Sequence, residues 1–227
     1  MVRTTYFFFA AFLIVAVIGF WPSYFGRITL EGEWRVHFHG AMMFGWCALL
    51  ATQAWLIRTR RTRWHRTLGK VSFAWVPVML LSTLILQRFR LEQAAGHYST
   101  ELLYFSYLMV ALVALFVTCY GLAIVHRRTP ALHMRYMICT PLPMIDPIVA
   151  RMLSQYLGID FPEMQVITFA LTDAILLWLS VKDWPTGQRV FPRVLVLFVL
   201  MELPVFFVYK TAWWPAVAAW FATLPLP

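Results

Sequence analysis

The chain has 227 residues, of which 61% are hydrophobic and 13% are charged, and its mean hydropathy is +0.70. A hydrocarbon core roughly 30 Å thick needs about 20 apolar residues per helix, so this length holds about seven crossings and no additional soluble domain. The formal net charge of +9 does not indicate nucleic-acid binding, because the arginines stand in short turns between apolar stretches.

Seven apolar stretches follow one another along the chain. The first has no acidic residue and no small-x-small cleavage site after it, which favours a retained helix over a removed signal peptide. The predicted helices are 5–22, 36–57, 67–88, 100–125, 133–156, 164–181 and 192–209. Residues 211–227 carry tryptophans between prolines and predict an interfacial tail. We therefore predict an all-α, polytopic transmembrane helical bundle that forms one domain, residues 1–227.

Basic residues concentrate on one side of the membrane if the helices alternate in direction. That side receives Arg3, Arg58, Arg60, Arg61, Arg63, Arg66, Lys70, Arg127, Arg128, Arg135, Lys182, Arg189 and Arg193. The opposite side receives fewer basic residues, namely Arg27, Arg35, Arg88, Arg90, Arg151 and Lys210. It also receives most of the acids of the loops, namely Glu31, Glu33, Glu92, Glu101, Asp160 and Glu163. The positive-inside rule then predicts a cytoplasmic N-terminus and an external C-terminus, with the basic side against anionic lipid head groups.

Three acids lie inside predicted helices, where an ionisable group usually faces a cavity or a partner: Asp146, Asp173 and Glu202. The prolines within residues 140–147 remove backbone donors and predict a break in the fifth helix, where freed backbone groups bind ligands. Arg151 would neutralise an acid on another helix or an anionic substrate. Two interpretations stay open: these four residues form a proton or substrate path, or they join Thr172 in a polar cluster that fixes helix register.

Two histidines open the second predicted helix. His37 and His39 lie two residues apart, about 200° around a helix, so at most one of them faces the interior. His39 shares its face with Met43, Trp46, Leu50 and Gln53. Such a stripe is either packing or the wall of a cofactor site.

His65 and His133 are the best candidates for metal ligands. Each follows an Arg-Arg-Thr sequence, 60–62 or 127–129, and this weak repeat would give the two histidines equivalent places in two helical hairpins. Ring nitrogens from two helices at one depth can serve as axial ligands of haem iron. The alternative is an interfacial role for each, in which the histidine bonds lipid phosphate or a loop carbonyl.

Three strings of residues carry a resemblance to a known group of proteins. They are His37-Phe38-His39-Gly40 with Trp46 and Gln53, then Trp64-His65-Arg66-Thr67-Leu68-Gly69, and then Arg127-Arg128-Thr129-Pro130-Ala131-Leu132-His133-Met134-Arg135. Across roughly residues 34–152 the chain resembles a group of uncharacterised bacterial multi-pass membrane proteins, some of them distantly similar to cytochrome b561-like proteins. The resemblance implies a bacterial inner membrane and makes His37, His39, His65 and His133 the recurrent histidines. The paired histidines of four successive helices that are typical of b561 proteins are not visible here.

These features give one leading hypothesis and two alternatives. The leading hypothesis is an integral membrane redox or electron-transfer protein that binds haem b or a quinone. Its cofactor residues would be His37, His39, Trp46, Gln53, His65 and His133, and Asp146, Arg151, Asp173 and Glu202 would form a proton or substrate path. The first alternative is a small-molecule transporter or binding protein that uses the broken fifth helix without a metal.

The second alternative is an accessory subunit of a larger membrane complex, and a homo-oligomer is a further expected assembly. Membrane lipids are the predicted partners in every case, and nucleic acid is not a predicted partner.

The sequence contains no GxxxxGK[ST], HExxH or GxSxG motif, which argues against P-loop nucleotide hydrolases, zinc peptidases and serine hydrolases.

Overall fold

The computed structural model describes residues 2–30 and 32–226, with side chains from residue 6 onward. The side chain of Arg3 and the whole of Glu31, both used in the charge pattern, lie outside that part. The described residues form α-helices and short 310 turns without a strand, which confirms the all-α prediction. The helices are α1 (Val2–Phe20), α2 (Trp34–Arg58), α3 (Thr62–Gln93), α4 (Thr100–Val125), α5 (Pro130–Cys139), α6 (Ile145–Leu157), α7 (Glu163–Asp183), α8 (Val190–Glu202) and α9 (Trp214–Ala222).

Five helical segments in the described part of the chain are long and apolar enough to cross a membrane. They are Trp34–Arg58, Thr62–Gln93, Thr100–Val125, Glu163–Thr186 and Val190–Lys210, and the apolar helix Tyr6–Phe20 is shorter. Helices of this length and hydropathy indicate a membrane protein. The predicted total of seven crossings also counts α1 and the interrupted segment that contains α5 and α6, and it stays a prediction.

The predicted break in the fifth helix is confirmed. Helix α5 ends at Cys139, a 310 turn covers Leu142–Met144, and α6 begins at Ile145. Pro141 and Pro143 have no N–H to donate, so an uninterrupted helix would lose two of its hydrogen bonds here. The single helix predicted for 133–156 is therefore two helices.

Two predicted helix boundaries are wrong for identifiable reasons. Helix α3 begins at Thr62 rather than residue 67, because Arg63 and Arg66 are good helix formers and extend the helix into the basic turn. Helix α8 ends at Glu202, and 310 turns cover Leu203–Phe206 and Val208–Lys210, so the predicted helix 192–209 is α-helical only in its first part. Pro204 is the second residue after the helix end, where an α-helix would need an N–H.

Contacts divide the chain into two compact units, Met1–Gln93 with Leu224–Pro227, and Ala94–Thr223. In the first unit α2 packs against both α1 and α3. The indole Nε1 of Trp75 donates to the carbonyl oxygen of Met42 at 3.1 Å, and a Cβ at Gly45 would lie 2.1 Å from Cζ2 of Trp75. The α2–α3 contact therefore requires glycine at position 45. The prediction of one domain stays a prediction.

Glu33 caps the start of α2. Its carboxylate accepts hydrogen bonds from the backbone N–H of Arg35 at 3.1 Å and from Nη1 of Arg35 at 2.9 Å. The backbone hydrogen bond lowers the pKa of Glu33 below its ordinary value, because it favours the ionised carboxylate. The first turn of α2 thus gains the side-chain acceptor that its free N–H groups need.

In the second unit α4 packs against α5, α8 and α9, and α7 packs against α6 and α8. The indole Nε1 of Trp214 donates to the carbonyl oxygen of Leu103 at 2.9 Å and holds α9 on α4. Helix α9 lies within the segment predicted as an interfacial tail.

Candidate functional site

A buried polar network joins α4, α6 and α7 around Asp146. The hydroxyl of Tyr104 donates to Oε1 of Gln165, and Nε2 of Gln165 donates to Oδ1 of Asp146 at 2.5 Å. Oγ1 of Thr168 donates to the same oxygen of Asp146. All four side chains are buried. Because two donors on α7 already reach one carboxylate oxygen, the network holds α6 against α7 and favours the register role for Asp146.

The helix break explains why Asp146 is tolerated in this apolar setting. Asp146 is in the first turn of α6. The positive end of a helix dipole stabilises a carboxylate at that position. The break therefore creates a helix N-terminus that an uninterrupted fifth helix would lack.

Arg151 contacts its own helix. Its Nη1 donates to the carbonyl oxygen of Pro147 at 2.8 Å, and its charge also acts on Asp146. Arg151 thus contributes positive charge near the polar network around Asp146.

Asp173 and Glu202 line one cavity between α7 and α8. Its volume is about 250 Å³, and its wall consists of Val166, Phe169, Ala170, Asp173, Val199, Glu202, Leu203 and Phe206. The side chain of Glu202 is only 5% exposed. Oδ1 of Asp173 is likewise buried without a hydrogen-bond partner in the described part of the chain. The cavity therefore holds two acidic side chains, and one carboxylate oxygen, Oδ1 of Asp173, is buried without a hydrogen-bond partner among the described residues.

Asp173 and Asp146 lie close enough to Glu202 for their carboxylates to repel its charge. Two of the three acids face the cavity, whereas Asp146 is engaged by donors from α7.

The two histidines at the start of α2 contact different elements. Nδ1 of His37 lies 3.0 Å from the hydroxyl of Tyr24, which follows α1. Nδ1 of His39 lies 3.4 Å from the hydroxyl oxygens of both Ser82 and Thr83 on α3. The rings diverge, as two residues 200° apart on a helix must.

Trp46 and Gln53 continue the His39 face of α2. Trp46 is completely buried. Nε2 of Gln53 donates to the backbone carbonyl of His65 at 3.2 Å, which joins α2 to the start of α3. Oε1 of Gln53 is buried and has no hydrogen-bond partner among the residues described. Gln53 therefore contacts the backbone of His65.

His133 is oriented by α4. Its Nδ1 lies 2.8 Å from the carbonyl oxygen of Ala123. A carbonyl only accepts, so Nδ1 carries the proton, and Nε2 of the neutral ring keeps the lone pair that a metal would need. His65 belongs to the first unit and His133 to the second, and their pairing stays a prediction. Within residues 2–30 and 32–226, no group of three or more His, Cys, Asp or Glu side chains is arranged to hold a metal ion.

In comparisons with known families, curated proteins and solved structures, the chain matches none of them. The resemblance to b561-like proteins stays a prediction. What the protein does is therefore inferred from its own residues.

Sequence reasoning named Thr172 but missed Gln165 and Thr168, the two residues of α7 that donate to Asp146. Gln165, Thr168 and Thr172 recur at intervals of three and four residues, so they form a polar stripe along one face of the apolar helix α7. This polar stripe is the sequence feature from which Gln165 and Thr168 could have been predicted. The buried partner of Arg135, Asp183, was also missed, since nothing in the sequence relates two residues so far apart.

Proposed function

We propose that this protein is a multi-pass protein of the bacterial inner membrane that binds a small cationic solute or a proton and carries it across. Its N-terminus is cytoplasmic and its C-terminus periplasmic. This function develops the transporter or binding-protein alternative. The observation that supports it is the cavity lined by both Asp173 and Glu202, in which Oδ1 of Asp173 has no hydrogen-bond partner among the described residues.

The chemistry of the cavity favours a positively charged occupant. Ionisable groups within membrane-spanning helices are costly and usually serve a substrate or ion pathway. Two neighbouring carboxylates in apolar surroundings are stable when they share a proton or bind a cation. The remaining wall is aliphatic and aromatic, which suits the apolar body of an organic ammonium ion.

The helix ends around the cavity add to this preference. Glu202 is the last residue of α8, and the 310 turn at Leu203–Phe206 follows it. The C-terminal end of a helix carries partial negative charge, which favours a cation there. A volume of about 250 Å³ lies just below the range of drug-sized ligands, so the occupant is small.

Binding and transport are tested with two probes on the full-length protein. Titration calorimetry in neutral detergent measures binding of benzyltrimethylammonium, and a pH-sensitive dye trapped in proteoliposomes measures proton entry under an imposed gradient. We expect binding, proton entry or both. Glu202→Gln and Asp173→Asn should each weaken the measured activity about ten-fold or more, because each removes a charge from a desolvated site.

Glu163→Gln is the matched control, since Glu163 is an exposed acid in the first turn of the helix that carries Asp173. It should behave as the unaltered protein does. A protein that neither binds the ammonium ion nor admits protons would contradict the proposal, and so would an equal loss in all three variants.

Redox function with haem b or a quinone is the second candidate. The observation that favours it is His133, whose hydrogen bond to Ala123 leaves Nε2 as the lone-pair nitrogen. A reduced-minus-oxidised optical spectrum of the purified protein should then show haem bands that His133→Ala and His65→Ala remove. A colourless protein without bound quinone would exclude this candidate.

A further inference from the structure

The turn between α2 and α3 carries positive charge that no nearby acid in the sequence balances. Six basic residues fall within 58–70: Arg58, Arg60, Arg61, Arg63, Arg66 and Lys70. No aspartate or glutamate occurs between Glu33 and Glu92. Both flanking helices are long and apolar enough to span a membrane, so the turn lies at the level where lipid head groups supply negative charge.

A cavity opens beside this turn. It has a volume of about 250 Å³ and is lined by Thr52, Leu56, Arg61, Trp64 and Leu68. Leu56 from α2 and Leu68 from α3 contribute apolar side chains to its wall, and Arg61 contributes a cation. The indole of Trp64 is 65% exposed, as expected for a tryptophan at the head-group level. The cavity is thus amphipathic, because one arginine joins a mostly apolar wall.

The backbone of the turn holds Arg61 beside the cavity. Arg60 adopts a left-handed conformation with φ of 59°. The N–H of Arg60 donates to the carbonyl of Ile57 at 3.1 Å, and the N–H of Arg61 donates to the carbonyl of Leu56 at 2.8 Å. This pair of bonds is the Schellman motif, which turns the residue after the left-handed position back toward the last helical turn. Arg61 and Leu56 therefore line the same cavity.

The guanidinium of Arg61 also makes a cation–π contact. Its guanidinium carbon lies 5.0 Å from the ring centroid of Trp55. Stacking on an indole orients the planar guanidinium while leaving its N–H groups free to donate to a phosphate. Arginine is the residue that best forms such paired bonds to phosphate oxygens.

We infer that the α2–α3 cavity is a binding site for an anionic phospholipid. The lipid phosphate contacts Arg61, an acyl chain lies along Leu56 and Leu68, and the indole of Trp64 lies at the level of the glycerol. The site lies within the first unit and does not depend on the function proposed for Asp173 and Glu202.

Native mass spectrometry of the full-length protein in neutral detergent tests this site. Phosphatidylglycerol is titrated, with phosphatidylcholine and inorganic phosphate as separate arms. We expect one saturable phosphatidylglycerol site that phosphatidylcholine does not fill. Arg61→Gln should weaken binding about five-fold, the effect of one basic residue near a membrane surface, and Arg61→Lys should keep most of the affinity. Trp64→Ala should weaken binding as well.

Arg189→Gln is the matched control. Arg189 also stacks on a tryptophan, with its guanidinium carbon 3.8 Å from the ring centroid of Trp184, but it does not line this cavity. It should bind phosphatidylglycerol as the unaltered protein does. Equal binding of both lipids, an unchanged affinity in Arg61→Gln, or an equal loss in Arg189→Gln would overturn the inference. Full competition by inorganic phosphate would identify a site for free anions instead.

Discussion

Arg135 and Asp183 form a buried ion pair with two hydrogen bonds, Nε to Oδ2 and Nη2 to Oδ1, each 2.6 Å long. Their exposed fractions are 5% and 1%. Nη1 of Arg135 also donates to the carbonyl of Ala131, and Nη2 donates to Oγ1 of Thr186. Each nitrogen of the guanidinium therefore has an acceptor, and the pair ties α5 to the end of α7.

Breaking this pair should destabilise the protein strongly. Arg135→Met and Asp183→Leu should each lower the free energy of unfolding by about 3–5 kcal/mol, because each leaves a buried charge alone. Unfolding in mixed dodecyl maltoside and dodecyl sulfate micelles, followed by circular dichroism, measures the loss. The double variant should be more stable than either single variant. Glu92→Gln, which removes the half-exposed pair with Arg88, should cost less than about 0.5 kcal/mol. Equal losses in the single and double variants would contradict this account.

Gln165 should be the most sensitive member of the network around Asp146. Gln165→Leu removes a donor from Asp146 and the acceptor of Tyr104, so it should cost about 1–3 kcal/mol or more in the same assay. Thr172→Val is the comparison, because the Thr172 hydroxyl donates only within α7, to the carbonyl of Thr168. That variant should lose less than about 1 kcal/mol. Similar costs for the two variants would mean that the network does not hold α6 against α7.

Substitution by alanine should change the stability of the protein in opposite directions at two glycines. Gly45→Ala places a methyl group against the ring of Trp75 and should cost about 1–3 kcal/mol, with a shift in tryptophan fluorescence. Gly121→Ala meets no atom within 4 Å and should stabilise α4 by about 0.5–1 kcal/mol. Thermal unfolding in detergent ranks the two variants. A stabilising Gly45→Ala would contradict the close α2–α3 contact.

Arg60→Gly should stabilise the turn after α2. The left-handed conformation costs about 1–2 kcal/mol for a residue with a side chain and nothing for glycine. The expected gain in unfolding free energy is about 1 kcal/mol. Arg60→Gln keeps the backbone cost while removing the charge, so it separates the two effects. If both variants have the same stability, the turn is not strained at this position.

Local physics made much of the helical framework predictable. The bounds of α4 agree with the prediction because its apolar run is long and flanked by polar residues, with Ser99 capping its start through the N–H of Leu102. The break before Asp146 followed from the prolines alone. The predicted helix boundaries were wrong where a helix extended into a basic turn, as at Thr62. They were also wrong where a helix ended shortly before a proline, as at Glu202 before Pro204.

Tertiary partners could not be predicted in the same way. Asp173 and Glu202 were predicted as site residues because they lie inside apolar helices. Their common cavity could not be predicted, because it depends on how α7 packs against α8. Asp146 was predicted to be functional or structural, and only the donors from α7 favour the second role. Arg135 was counted as a surface charge, because its position near a basic turn gives no sign of a buried acid. Such pairings depend on contacts between residues that are far apart in the chain. A single sequence does not reveal these contacts.

The ion pair of Arg135 and Asp183 has a consequence for biosynthesis. The two residues are separated by 48 positions, so a ribosome working at about 5–20 residues per second makes Arg135 about 2–10 s before its carboxylate exists. During that interval α5 carries an uncompensated guanidinium that favours water over lipid. We expect α5 to remain near the aqueous boundary of the insertion machinery until α7 is made. Nascent chains that stop short of residue 183 should then be degraded rapidly by membrane proteases.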